Sequence, residues 1–122
     1  MLFLTHMYDT SFYTQPNKIS PIKNFLDKSN ETVRTKILRQ LKYVQEFGLT
    51  RAVPNLRKLS NTPLWELRIL GKDNIRIFCV SLPNKEIKVL HIFSKKKQKT
   101  PQKEIATALR RYQETTSLSI DK

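Results

Sequence analysis

The stretch from Leu64 to Thr100 constrains the fold more than any other part of the chain. Trp65, Leu67 and Ile69 alternate with Glu66 and Arg68, the two-residue period of a half-buried strand. Gly71-Lys72-Asp73-Asn74 reads as a turn, Ile75 to Leu82 as a second strand, Pro83-Asn84 as another turn, and Glu86 to Phe93 as a third strand. Turns this short make neighbouring strands antiparallel. Arg68, Arg76 and His91 ride on these strands, and the run Lys95-Lys96-Lys97-Gln98-Lys99 follows them. Cations mounted on a rigid scaffold suit a partner with closely spaced negative charges.

The flanking segments supply the rest of a small domain. Leu2 to Tyr13, containing His6, is β-branched, aromatic or apolar and reads as an N-terminal strand. Ser20-Pro21 is a helix start, with serine as N-cap and proline at the first helical position. Ile22, Phe25 and Leu26 share one face of that helix, and Ser29-Asn30 breaks it. A second helix is expected from about Glu31 to Phe47, with Val33, Ile37, Leu41 and Val44 as its apolar stripe and Gly48 as its C-cap. Lys36, Arg39 and Lys42 fall on another arc, and a solvated face and a binding face are both open readings of it. Leu49 to Pro63 reads as a loop carrying Arg51, Arg57 and Lys58. Thr100-Pro101 opens a C-terminal helix whose stripe is Ile105, Ala108, Leu109 and Tyr112, and the polar residues 116–122 are expected to fray. The order is strand, helix, helix, three strands, helix: an α+β class in a single domain spanning 1–122.

Charge narrows the partners. The 122 residues carry a formal net charge of +13, whose usual causes are a nucleic acid or an anionic membrane. No apolar run approaches the roughly 18 residues of a membrane span, and the apolar opening Met1-Leu2-Phe3-Leu4 lacks the basic lead of a signal peptide. A cytoplasmic location without membrane contact is expected. Cys79 is the only cysteine and sits in an apolar strand, so a buried hydrophobe is its expected role. The two histidines lie far apart, so no zinc-ligand spacing exists, and no metal or cofactor is expected.

The turn between the arginines sets a geometric test. A three-residue loop, Gly71 to Asp73, puts Arg68 directly across from Arg76, whereas a four-residue loop puts them on opposite faces. Directly opposed like charges destabilise a sheet, so finding them together implies an anionic partner. The alternative is that each arginine pairs with a carboxylate such as Glu66 or Glu86.

Leu64-Trp65-Glu66-Leu67-Arg68, Arg76-Ile77-Phe78, Leu90-His91-Ile92-Phe93-Ser94-Lys95-Lys96, Gln98-Lys99-Thr100-Pro101 and Glu104-Ile105 together resemble the phage-derived, HigB-like branch of the RelE toxin superfamily. Pro21-Ile22-Lys23-Asn24-Phe25-Leu26 and Glu46-Phe47-Gly48 are similar to it as well. The resemblance implies an antiparallel sheet packed on an N-terminal helical hairpin, with a C-terminal helix. It also implies a toxin of a type II toxin–antitoxin pair that cuts mRNA as a metal-independent endoribonuclease, commonly on the ribosome. A cognate HigA-like helix-turn-helix antitoxin would inhibit it, and the complex would bind operator DNA. Related toxins of the ParE kind poison gyrase instead, and a non-catalytic basic RNA-binding module is a further alternative.

Metal-free RNA cleavage uses the ribose 2′-hydroxyl as nucleophile. It needs a proton acceptor, a proton donor for the leaving 5′-oxygen and cations for the charged phosphorane. Arg68 and Arg76 suit the last task, because guanidinium binds phosphate bidentately and stays charged. Lys95 or Lys96, crowded by like charges, suits proton transfer or phosphate contact. His91 suits proton transfer by its ordinary pKa, although its apolar neighbours also fit a core histidine. Glu66 fits either a base or the neutralising partner of an arginine. By the resemblance, Arg68, Arg76 and Lys96 match active-site cations, while Gln102 stands, or nothing aligns, where some relatives place a catalytic tyrosine. Lys36, Arg39, Lys42, Arg51, Arg57, Lys58, Lys97 and Lys99 are the expected contacts to mRNA and ribosomal RNA backbone.

Overall fold

The computed structural model describes residues 7–95 and 101–120. Met1 to His6, and Lys96, Lys97 and Lys99 of the basic run, therefore lie outside the described residues. Local chemistry starts and stops the helices as expected. The Ser20 hydroxyl accepts from the backbone N–H of Ile22 (3.2 Å) and Lys23 (3.4 Å), with Pro21 behind it, and opens α1 (Pro21–Lys28). Asn30 Oδ1 accepts from Val33 N–H (2.9 Å) and opens α2 (Glu31–Phe47). Gly48, at φ 71°, ends it. The 8-residue α1 buries Ile22 and Leu26, and the 17-residue α2 buries Ile37, Leu41 and Val44.

The hairpin covers one face of a five-stranded sheet with order β1-β5-β4-β3-β2, formed by β1 (Asp9–Phe12), β2 (Leu56–Lys58), β3 (Trp65–Ile69), β4 (Ile75–Leu82) and β5 (Glu86–Ser94). The β3-β4-β5 meander is antiparallel. Two features go beyond the sequence reading. The Leu49–Pro63 segment contains β2, whose three residues are too few to show a period and which pairs antiparallel with β3 at the sheet edge. The N-terminal strand, confined to Asp9–Phe12 among the described residues, runs parallel to β5, so the sheet is mixed. Nothing forces these two strands antiparallel, since no tight turn joins them.

The chain has only two glycines, and asparagine does most of the tight turning. Asn17, Asn55, Asn61, Asn74 and Asn84 all adopt positive φ, with Lys85 beside the last. Helix α3 (Gln102–Ile120) packs on β5 and buries Ala108, with Ile105, Leu109 and Tyr112 partly buried. It runs to Ile120, past residue 116 where the polar composition begins.

Gly48 is held against the Tyr8 ring, where an added Cβ would lie 2.6 Å from a ring carbon. Gly48→Ala is expected to destabilise the fold by about 1–3 kcal/mol, through strain at positive φ and this clash. Urea denaturation measures it, and Tyr8→Ala in the same chain should recover the part due to the clash.

Candidate active site

The turn after β3 decides the arrangement of the arginines. Arg68 pairs with Arg76 and Ile69 with Ile75, which is the register of the three-residue loop. Directly opposed residues of an antiparallel pair hold their Cβ atoms about 5 Å apart on one face. The same face carries a row running across four strands, Arg57–Glu66–Phe78–His91. Phe93, opposite Arg76, completes an aromatic wall with Phe78 and His91, at centroid distances of 5.3 Å to each.

Glu66 is fully buried and gathers two of the cations. Arg57 Nε donates to Glu66 Oε1 at 2.7 Å, and Arg76 Nε lies 3.6 Å from Glu66 Oε2. Arg76 is itself 8 % exposed; its Nη1 donates to Asn74 Oδ1 (3.1 Å), while its Nε has no hydrogen-bond partner among the described residues. Burial lowers the pKa of its guanidinium, the Glu66 carboxylate opposes that shift, and Arg68 and Arg57 add to it. Glu66 thus takes the neutralising role among its two readings. Arg68 differs from Arg76: it is exposed and makes no ion pair among the described residues. Glu86 engages Ser11 and Lys88 rather than an arginine.

His91 sits in a different environment from the one its ordinary pKa invites. The β4–β5 register slips after Phe78, so that Phe78 faces His91 and Cys79 faces Val89, with Leu90 as the extra residue of a bulge. Arg111 of α3 donates through Nη1 to the Leu90 carbonyl (2.9 Å) and lies 3.2 Å from His91 Nδ1. His91 Nε2 lies 2.7 Å from Glu104 Oε1. A neutral ring that donates from Nε2 to Glu104 and accepts at Nδ1 from Arg111 satisfies both contacts. Both nitrogens are therefore engaged between α3 and β5, an arrangement that fits the core reading of His91.

The remaining predicted cations divide by position. Lys95 closes β5, its backbone N–H donating to the Asn74 carbonyl at 2.8 Å, and so lies at the Arg76 end of the sheet. Lys36 and Arg39 line a groove of about 320 Å³ together with Gln40, Asn55, Arg68, Ile69 and Leu70. Lys42 and Arg39 line a neighbouring depression with Tyr43 and Glu46. Arg51 is exposed on the α2–β2 loop, and the Lys58 ammonium is tied to the Thr62 carbonyl. Arg111 and Asn74 have no place among the residues expected from sequence. A helix arginine and a turn asparagine look ordinary until the bulge and the register bring them to the face.

The model of the phage-derived Gp49-like protein family matches residues 24–113. The chain belongs to that family. The match takes in every residue of the face just described, from Arg57 to Arg111. Curated proteins give no match. Membership of the Gp49-like family is consistent with the toxin of a toxin–antitoxin system, and with a cognate antitoxin as partner. Among the described residues of this Gp49-like chain there is no cluster of potential metal ligands, and no helix is long and apolar enough to cross a membrane. Cys79 is completely buried, and burial pushes its thiol up to about 12.

Two measurements follow from this geometry. Burial lowers the His91 pKa from its ordinary 6.5, the hydrogen bond to Glu104 opposes the shift, and Arg111 and Arg110 add to it. The folded protein then binds fewer protons at this site than the unfolded chain. The stabilisation is present above pH 6.5 and is lost as the pH falls below it. The urea midpoint should drop over that window in the wild type and less steeply in His91→Gln. Glu66→Gln, which leaves Arg76 buried without its carboxylate, should cost about 3 kcal/mol by denaturation; a cost under about 1 kcal/mol would place the anchoring of Arg76 elsewhere.

Proposed function

We propose that this protein is the toxin of a type II toxin–antitoxin pair, and that it is an endoribonuclease cutting mRNA on the ribosome. The observation that carries this reading is the direct opposition of Arg68 and Arg76 on one sheet face. Like charges facing each other across a strand pair destabilise the fold. Only one of the two, Arg76, is paired with the buried carboxylate. A phosphate bound between them would relieve the repulsion, with Arg68 as the exposed partner and Arg76 as the buried one.

In the proposed reaction the ribose 2′-oxygen attacks the adjacent phosphorus as its proton leaves. The phosphorane carries its extra negative charge opposite the arginines, and the bond to the 5′-oxygen breaks as that oxygen gains a proton. The products are a 2′,3′-cyclic phosphate and a 5′-hydroxyl. Guanidinium groups serve the charged state and not the proton transfers, because they stay protonated throughout. Lys95 and Lys96 are the proposed proton carriers and further phosphate contacts, Lys97 and Lys99 extend the path of the RNA backbone, and His91 holds α3 in place. Arg51, Arg57 and Lys58 add contacts to ribosomal RNA, which makes binding strongly salt-dependent. The partner expected to silence this activity is a HigA-like helix-turn-helix antitoxin, whose complex with the toxin would bind operator DNA.

Engagement of both His91 nitrogens favours one second reading, a non-catalytic basic RNA-binding module. Adding purified protein to a translating extract and mapping the mRNA by primer extension separates the two. The nuclease reading expects discrete cuts that drop at least about 100-fold in the Arg68→Ala, Arg76→Ala double variant, the scale of losing transition-state charge stabilisation. Absence of cuts, or cuts that persist in the double variant, would sink it.

A further inference from the structure

One face of α2 carries groups that neither the core nor the arginine pair uses. Lys36, Gln40, Tyr43 and Phe47 recur at i, i+4, i+7 and i+11 and so share one arc, away from the buried Ile37, Leu41 and Val44. Tyr43 is 36 % exposed and Phe47 42 %, and their rings lie 6.4 Å apart at an interplanar angle of 22°. This partly exposed aromatic pair lies outside the buried apolar stripe of its helix. The cations on this face have equally specific surroundings. Lys36, Arg39 and Arg68 line the same groove, and no carboxylate is among the lining residues. The Lys36 ammonium is within 3.4 Å of the Leu70 carbonyl across that groove, and Gly71 leaves it room: an added Cβ there would lie 3.0 Å from Lys36 Nζ. In the adjoining depression Arg39 and Lys42 flank Tyr43, with Glu46 the one acidic lining residue.

We propose that this face of α2 is a platform for single-stranded RNA, with Lys36 and Arg39 holding backbone phosphates in the groove shared with Arg68 and the Tyr43 ring stacking on a base. Single-strand binders combine these two elements, a basic track for phosphates and an aromatic surface for bases. Charge complementarity selects the occupant: the cations outnumber Glu46, and an apolar protein surface would leave Lys36 and Arg39 without a counter-charge in the groove. Arg68 belongs to both the groove and the opposed pair, so a strand held on α2 would pass round the end of β3 to reach the proposed site of cleavage on the other face of the sheet. The platform rests on the reading of the protein as acting on RNA, and its test does not depend on cleavage.

The test is fluorescence anisotropy of the intact protein with an end-labelled, unstructured 2′-O-methyl oligonucleotide, which has no free 2′-hydroxyl and cannot be cut by the proposed reaction. Tyr43→Ala should weaken binding about tenfold while Tyr43→Phe retains it, the scale of one base–aromatic stack. Lys36→Ala with Arg39→Ala should reduce the slope of log affinity against log salt by about 1.4, two phosphates' worth for a single strand. Glu46→Gln should tighten binding, and annealing the complementary strand should remove the dependence on Tyr43. Wild-type affinity in Tyr43→Ala, or an unchanged salt slope in the double variant, would overturn the platform. So would a finding that Tyr43→Ala abolishes binding of a purified antitoxin and leaves RNA affinity intact. Cuts in mRNA without Tyr43-dependent binding would reject the platform and keep the nuclease; Tyr43-dependent binding without cuts would do the reverse.

Discussion

A carboxylate taken out of water costs several kcal/mol unless opposite charges reach it, and Glu66 is completely buried within the sheet. Much of the candidate site is a consequence of that one group. Arg57 reaches Glu66 from the edge strand β2, and Arg76 reaches it from β4, so three strands are tied at one point. This tie holds the Arg76 guanidinium in place at a cost in solvation, since its Nε faces Glu66 at 3.6 Å without a hydrogen bond among the described residues. Arg68 lies across from Arg76 and outside this tie. The result is one fixed cation and one exposed cation at the same pair position, an asymmetry that suits the capture of an anion between them.

The two faces of the sheet have separate tasks. The hairpin of α1 and α2 covers the face of Leu67, Ile69, Ile75 and Ile77, all nearly or completely buried, and supplies the apolar core. The other face carries the ionic row and the aromatic wall, and α3 covers part of it through its apolar stripe and through polar contacts. Arg111 takes the carbonyl of the bulge residue Leu90 and approaches His91, Glu104 holds the far side of the imidazole, and Tyr13 donates to Glu114 at 2.5 Å. Polar fastening of this kind depends on protonation states and on geometry, where apolar packing on the hairpin side does not. The bulge is the device that makes it work, since it turns His91 towards α3 and presents a carbonyl for Arg111 to take.

Several elements could be read from residues because their causes are local. Ser20 with Pro21, Asn30 and Gly48 mark helix ends by groups within three or four positions of the backbone they cap. The stripes of α2 and α3 follow from the helical period. The meander follows from alternation and short turns. Leu56-Arg57-Lys58 escaped because three residues show no period and become a strand only when β3 offers an edge. The parallel course of β1 escaped because its partner lies about 77 residues on, beyond the reach of any local pattern. At the site, Arg68 and Arg76 were legible as an alternative between two loop lengths. His91 was legible only as a residue with two readings, because Glu104 and Arg111, which engage its nitrogens, come from a helix beyond the basic run.

The order of the helices and of the β3-β4-β5 meander, the faces that are buried and the surplus of positive charge are properties of the sequence itself, since each rests on period, composition or a turn of a few residues. Tertiary structure decided how those charges are spent. It paired Arg57 and Arg76 with one buried carboxylate, left Arg68 outside that tie, engaged His91 with α3 and left Tyr43 and Phe47 partly exposed. These outcomes depend on register, on a bulge and on the packing of distant segments. Interactions of that range become definite only when the chain has closed on itself.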